Sequence, residues 1–328
     1  MNKTIVAAAL MAVVGCAENP CALQTQSRTT PLKVLMIGNS FSDSVMRETP
    51  KLAASAGLAL DIAQAGIGGC PLEKHWTNVE KADDPAFKPY GFYYSYASEK
   101  SPKTAPVAKL GKRTNIPEVL AADRWDIVTI QQASGKSAFY ESYQPYADNL
   151  IAKIRELAPQ AEVVIQETWS YSPYDGRLAQ WKMNPTSMHA ALKAAYAKLA
   201  KKHGLRVIPV GDAAQLFRER LPVAYDKVLT RQEIASIARP GLVDFHGDVA
   251  GRSFWSKGVK GRQKDWNELK LRLDASHFNP RGHYLQACVW TAALFGVDPT
   301  TFAYRPDFLS EPDARLMREC ARDAIANW

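Results

Sequence analysis

The sequence is poor in several signals that would fix its class outright. It has five cysteines in 328 residues, and no two stand as C-x-x-C, which argues against a zinc site of that spacing. Beyond the first sixteen residues no apolar run is long enough to cross a bilayer. Basic residues outnumber acidic ones by 41 to 33, but they are spread along the chain and form no basic arm. The expectation is therefore a solvated basic surface, attractive to acidic glycans or an anionic envelope, with no nucleic acid among the partners. There is no internal repeat and no low-complexity tract. The α/β-hydrolase elbow G-x-S-x-G is also missing where a serine follows the first strand, because the chain there reads Gly38, Asn39, Ser40, Phe41, Ser42.

What is present begins with an export signature. Residues 1–16, MNKTIVAAALMAVVGC, carry one lysine followed by about a dozen apolar residues, the pattern of a signal peptide and too short for a membrane span. Val13, Val14, Gly15 and Cys16 resemble a bacterial lipobox, in which Cys16 takes the lipid and becomes the mature N-terminus. The alternative is ordinary cleavage near Ala17 or Ala22, leaving a soluble periplasmic or extracellular protein. Residues 17–31 are polar, with two prolines, and read as a tether. Removing residues 1–16 takes one lysine and no acid, so the formal charge falls from +8 to +7. Cys21, Cys70, Cys288 and Cys320 then remain, with three possible disulfide pairings left open. Oligomeric state is not legible.

Residues 32–328 are expected to form one domain, and 46% hydrophobic residues over the chain supply a sizeable core. Short β-branched runs alternate with helix-patterned segments, which predicts a three-layer α/β/α sandwich around a five-stranded parallel sheet. The strands are predicted at 33–37, 60–65, 126–130, 162–166 and 205–209. One helix is predicted over 186–203, capped by Thr186 or Ser187, with Met188, Leu192, Ala195 and Leu199 inward and a stop at Gly204. A second spans 145–157, with Leu150, Ile151, Ile154 and Leu157 inward. A third, 282–295, is apolar nearly all round and so should be buried. Residues 70–113 and 221–272 break the alternation and are expected as insertions.

Two motifs carry chemistry. Gly38, Asn39 and Ser40 follow the first strand and precede a helix, which projects Ser40 into the crevice at the carboxyl ends of the strands. Asp274, Ala275, Ser276 and His277 form D-x-x-H in a predicted turn before the buried helix. A serine nucleophile needs a base within hydrogen-bond reach, and the base needs an acid to fix its tautomer. Either motif alone has an ordinary structural explanation, a helix cap or a satisfied histidine. Their conjunction at opposite ends of a five-strand alternation is far more specific.

Together they resemble the SGNH or GDSL hydrolase superfamily over about residues 33–296. The resemblance implies a flavodoxin-like fold and a metal- and cofactor-independent acyl transfer. Ser40 would be the nucleophile, His277 the base and Asp274 its orienting acid. It also implies an oxyanion hole made from the Ser40 N–H, a glycine N–H after the second strand, best matched by Gly69, and a side-chain amide after the third. Asn39 stands where aspartate is common. In place of the usual asparagine of the third block the chain has Gln131, with Gln132 as the close alternative.

The remaining candidates concern substrate. His75 and Trp76, just after Gly69, and Trp169, after the fourth strand, are expected to line the cleft. Tyr90, Phe92, Tyr93, Tyr94 and Tyr96 either join them or pack the first insertion. Flat aromatics beside a polar cleft suit a sugar ring. Asp244, His246 and Asp248 either bind a metal or make a turn, the turn being the expectation. His283 could line the cleft, and His189 and His203 belong on an exposed helix face. The expected activity is hydrolysis of small acyl esters on carbohydrate. Lipid ester or thioester cleavage, or non-catalytic glycan binding on the same fold, are the alternatives.

Overall fold

A computed structural model describes residues 30–88, 94–97, 114–221, 228–258 and 267–328. Cys16, Cys21, Tyr90, Phe92, Tyr93 and Trp266 lie outside the described residues.

The strands are β1 (Leu32–Gly38), β2 (Leu60–Gly66), β3 (Tyr94–Ala97), β4 (Ile127–Ile130), β5 (Glu162–Gln166) and β6 (Arg206–Ile208), with β7 (Ala250–Ser256) and β8 (Lys270–Phe278) apart from them. The helices are α1 (Ser40–Asp43), α2 (Val45–Ser55), α3 (Leu72–Glu80), α4 (Ile116–Ala121), α5 (Tyr146–Leu157), α6 (Gly176–Gln180), α7 (Pro185–His203), α8 (Val210–Arg220), α9 (Arg231–Ser236), α10 (Pro280–Phe295) and α11 (Glu311–Ala326).

The main sheet runs β3-β2-β1-β4-β5-β6. Five of its strands are parallel, as expected, and β3 adds an antiparallel edge beside β2. Such central strands are covered on both faces, so they read as unbroken apolar runs, and Val34 to Ile37 are almost completely buried. From β1 the chain passes to β2 on one side and later to β4 on the other. That reversal is a topological switch point, and it opens a crevice at the carboxyl end of β1, where Ser40 lies. One layer holds α2, α8 and α11 around α10, which touches each of them; α3, α4 and α5 form the other.

Local chemistry explains the helix ends. Asn184 and Ser187 form a capping box at the start of α7, Pro185 occupies the first helical position, and Gly204 closes the helix at φ 62°. Ser187 is therefore the reciprocal partner of the cap rather than the cap. Along α7, Met188, Leu192, Ala195 and Leu199 are buried, as the stripe predicts. Asn279 caps α10, which is buried nearly all round under α11. On α11, Ala314, Met317, Ala321 and Ala324 repeat at helical spacing and face that contact.

Several expectations need correction. Leu157 is 38% exposed at the end of α5. Residues 70–113 and 221–272 are not plain insertions, since the first supplies α3 and β3 and the second supplies α9, β7 and part of β8. Asp274 and His277 lie on β8 rather than in a turn. Cys70, Cys288 and Cys320 are buried free thiols. None of the described helices is long and apolar enough to cross a membrane.

Three rings tie the sheet to β8. Trp169 stacks on Phe41 at 4.0 Å and on Phe278 at 3.6 Å, with interplanar angles of 7° and 6°. Its indole Nε1 donates to the Ser276 carbonyl at 2.9 Å. Trp169→Ala should therefore lower unfolding stability by about 3–5 kcal/mol, while Trp169→Phe, which keeps a ring and loses the N–H, should cost far less. Urea denaturation checks this, and a loss below about 1 kcal/mol for the alanine variant would show that the stack does not hold these elements together.

Candidate active site

Ser40 begins α1 directly after the turn that ends β1. The side chain of Asn39 organises that turn. Its Oδ1 accepts from the Phe41 N–H at 3.1 Å and from Gln131 Nε2 at 2.8 Å, while its Nδ2 donates to the Cys70 carbonyl at 3.1 Å. Its backbone carbonyl accepts from the Ser42 N–H and from Gln64 Nε2. Asn39 thus couples the serine turn to the loop after β2 and to the end of β4.

His277 and Asp274 arrive from β8. Residues three apart in a regular strand point to opposite faces. Here the pairing with β7 shifts register, with Ala250 opposite Phe278 but Arg252 opposite Asp274. Residues 275–277 therefore bulge against Gly251 alone, which breaks the alternation. Gly251 sits at φ 102°, and a Cβ there would strike the Phe245 ring. The bulge brings both side chains to one side. Ser40 Oγ lies 2.8 Å from His277 Nε2, and His277 Nδ1 lies 3.0 and 3.1 Å from the Asp274 carboxylate oxygens.

The electrostatics suit the arrangement. Burial alone would raise the Asp274 carboxyl, but hydrogen bonds and charge from His277, with the N–H groups of His277 and Ser276, hold it well below the usual carboxylate range. It is an acceptor for the imidazole at neutral pH. Phe41 packs edge-on to the His277 ring at 5.2 Å and limits its rotation. A cavity of about 710 Å³ opens beside Ser40 and His277, bordered also by Asp274, Arg47, Arg252 and His283.

The other expected residues divide. Gly69 is exposed in the left-handed region at φ 65°, and neither its N–H nor that of Ser40 meets an acceptor among the described residues. Both glutamines are committed to the scaffold. Gln131 donates to Asn39 and accepts from Ser42 Oγ at 3.1 Å. Gln132 accepts from the N–H groups of Leu72 and Ala133 and donates to the Ser142 carbonyl and hydroxyl. Gln132 thereby spends both of its amide protons on Ser142 and is corrected as an oxyanion donor, whereas Gln131 keeps one Nε2 proton without a partner among the described residues.

His75 is fully buried, hydrogen-bonded to the Gly38 backbone, and pushed down to about 3 chiefly by burial. It supports the end of β1 and does not face substrate. Trp76 packs partly buried against the core, away from the cavity. Trp169 borders the cavity but exposes none of its surface. His283, left open in the sequence, does line the cavity.

Asp244 to Asp248 forms a turn, with Asp244 Oδ1 accepting from the His246 N–H and Asp248 paired with Arg218 at 2.9 Å. His203 pairs with Asp148 at 2.6 Å. His189 lies 3.0 Å from Asp212, and both histidines are mostly buried, against expectation. Glu167, His189 and Asp212 bring possible metal-ligand atoms within 4.8 Å of one another. Asp212, however, already accepts from Lys193 and from Trp328 Nε1, both at 2.6 Å, and Glu167 Oε2 from the Asp212 N–H at 2.9 Å. The cluster reads as a capping and ion-pair network.

The family described as a domain of unknown function, DUF4886, matches residues 33–215, more than half of the chain. The chain belongs to the DUF4886 family. That match includes the Ser40 turn and the core strands and ends before Asp274 and His277. A crystal structure of a DUF4886 family protein from Bacteroides uniformis aligns over 90% of this chain and 95% of its own, with 25% identity and a TM-score of 0.65. A candidate SGNH hydrolase from Slackia heliotrinireducens aligns over 81% of this DUF4886 chain and all of its own, with 18% identity and a TM-score of 0.44. A GDSL-like lipase from Bacteroides thetaiotaomicron covers 81% and 89%, with 12% identity and a TM-score of 0.35. No curated protein sequence matches the chain. The parallel-strand order and the helices on both faces give this DUF4886 protein the three-layer α/β/α fold expected from its sequence.

The Asn39 network yields a test against the residue more common at that position. Asn39→Asp would set a carboxylate oxygen against the Cys70 carbonyl inside the protein. It should cost about 1–3 kcal/mol of stability, the penalty of a buried unmatched acceptor. Equal urea midpoints for the two proteins would show that the amide donor is dispensable.

Proposed function

We propose that this protein is an exported serine ester hydrolase that removes acetyl or other small acyl groups from carbohydrate. One observation carries the catalytic reading: the continuous contact from Ser40 Oγ through the His277 ring to Asp274. Ser40 attacks the ester carbonyl while His277 Nε2 takes its proton, and Asp274 holds the ring and stabilises the imidazolium. The oxyanion meets the N–H groups of Ser40 and Gly69, whose protons are uncommitted; a preorganised donor of this kind contributes roughly 2.7–4 kcal/mol. His277 then returns the proton to the leaving alkoxide. Water, deprotonated by the same imidazole, attacks the acyl-enzyme and releases the acid. Carbohydrate as the acyl carrier rests on the export signature and on a polar, open cavity.

Hydrolysis of p-nitrophenyl acetate tests the chemistry. Ser40→Ala and His277→Ala should each lose roughly 10⁴-fold or more in kcat, and Asp274→Asn about 10⁴-fold, because the three act as a unit. An Ser40→Ala protein as active as wild type would rule out the mechanism and favour glycan binding without turnover. Acetate release from a panel of acetylated glycans then reads the carrier.

Export is part of the same proposal. It rests on residues 1–16, with Cys16 as the lipid attachment point. Intact mass of the protein extracted from membranes should carry a diacyl or triacyl increment on a chain beginning at Cys16, and Cys16→Ala should abolish it. An unlipidated chain beginning near residue 17 or 22 would make the protein a soluble exported one.

A further inference from the structure

Beside Ser40 and His277, the cavity wall formed by α2, β7 and the first turn of α10 carries Arg47, Lys51, Arg252 and His283. The carboxylates that border the same space are engaged. Glu48 accepts from Lys51 at 3.1 Å and from the Tyr304 hydroxyl at 2.6 Å. Asp43 accepts from Gln64 Nε2 at 2.6 Å, and Asp274 serves His277. Lys51 is thereby neutralised. Arg47, exposed on α2, has no ion pair or side-chain hydrogen bond among the described residues. Arg252 approaches Asp274 no closer than 3.6 Å, leaves 57% of its side chain exposed and lies over the Phe254 ring.

Both guanidiniums border the cavity that holds Ser40 and His277. Burial first, then the charges of Arg47 and Arg252, push the His283 imidazole on the same cavity wall down to about 4, against the opposing charge of Glu48. His283 is therefore neutral at physiological pH and adds no third cation. Among the described residues Arg47 has no carboxylate partner of its own and Arg252 has only the long contact to Asp274, so both guanidiniums keep donors for an anion that enters the cavity. The guanidinium fork matches carboxylate and phosphate oxygens in pairs, so the wall is suited to one compact anion. A cavity of about 710 Å³ is within the roughly 300–1,000 Å³ of small-molecule sites.

We propose that Arg47 and Arg252 form a subsite for an anionic group, carboxylate or phosphate, that the substrate carries beside the ester attacked by Ser40. The ester part of this statement rests on the hydrolase reading; the anion site itself does not. Arg47 is the specificity-determining residue, because Arg252 also faces the triad acid.

The test compares three acetate esters on the full chain: phenyl acetate, 3-acetoxybenzoate and 3-acetoxyphenyl phosphate. At low ionic strength at least one of the two anionic esters should have a kcat/KM about tenfold or more above the neutral one, chiefly through KM, and added salt should shrink that ratio. Which anion gains more identifies the group. Arg47→Gln should reduce the ratio about tenfold, Arg47→Lys should retain part of it, and Arg47→Glu should invert it. A ratio near one, or one that Arg47→Gln leaves unchanged, overturns the subsite. If wild type cleaves none of the esters, the hydrolase reading fails and calorimetric binding of 3-acetoxybenzoate to Ser40→Ala still decides the subsite. Binding no tighter than that of phenyl acetate, or insensitive to Arg47→Gln, overturns it there as well.

Discussion

Trp169 lies flat between Phe41 and Phe278, and the position of Ser40 and His277 depends on that sandwich. Phe41 follows Ser40, Phe278 follows His277, and Trp169 fills the space between α1 and β8 with none of its surface exposed. Each stacked pair contributes about 0.5–1.5 kcal/mol beyond the burial of its rings, and a buried aromatic side chain contributes about 3 kcal/mol or more on its own account. A neutral hydrogen bond such as that between Ser40 and His277 contributes a net 0.5–1.5 kcal/mol. The larger quantity sets the geometry. The rings fix the spacing of two distant segments, and the hydroxyl and imidazole meet because their neighbours in sequence are already packed.

The same economy of neighbours explains the acid. A regular β8 would turn Asp274 and His277 to opposite faces, so the local disruption opposite Gly251 is a requirement of the site. Glycine is needed there for two reasons, the positive φ and the Phe245 ring that occupies the place of a Cβ. On the other side, Asn39 uses both halves of its amide, one to hold the serine turn and one to hold the loop carrying Gly69. Aspartate can accept but cannot donate from that position, which is a physical reason for this chain to depart from G-D-S.

What could be read from sequence follows from what is local. The parallel strands are legible because burial on both faces writes itself as an apolar run, and Ser40 is legible because a strand, a tight turn and a helix start are adjacent in the chain. D-x-x-H is legible as a pair, although its placement on a bulged strand is not, since the bulge is a property of pairing with residues 250–256. The anchoring of the glutamines is not legible for a related reason: Gln131 binds Asn39, 92 positions away, and Gln132 binds Leu72, 60 away. His75 and Trp169 have compositions and positions suited to a cleft, and only tertiary packing buries them. The four-residue β3 and the strand β7 lie in segments whose tyrosines, lysines and polar residues mask a period of two. Arg47 left no local signal, because its significance lies in the ion pairs that its neighbours make without it.

Behind the cavity, Glu167 shows how the rim bears a buried acid. Burial and the nearby Asp212 raise its carboxyl well above the ordinary range, while the Asp212 and Gly211 N–H groups oppose them. Those N–H groups belong to the first turn of α8, which has no side-chain cap of its own, so Glu167 caps it from the adjoining strand. Close approach is possible because residue 211 is glycine; a Cβ there would strike the Thr168 carbonyl. One helical pitch or more further along, Arg218 of the same helix donates to the Ser170 hydroxyl and carbonyl and pairs with the buried Asp248. Asp248 in turn offers its carbonyl to Asn279, the cap of α10. The segment 167–170 is thus held at both ends by α8, with Trp169 between the two anchors. Leaving one member of a buried ion pair unmatched costs about 3–5 kcal/mol, so the polar network behind the rim and the aromatic stack within it act on the same few residues, and neither would position the imidazole over Ser40 without the other.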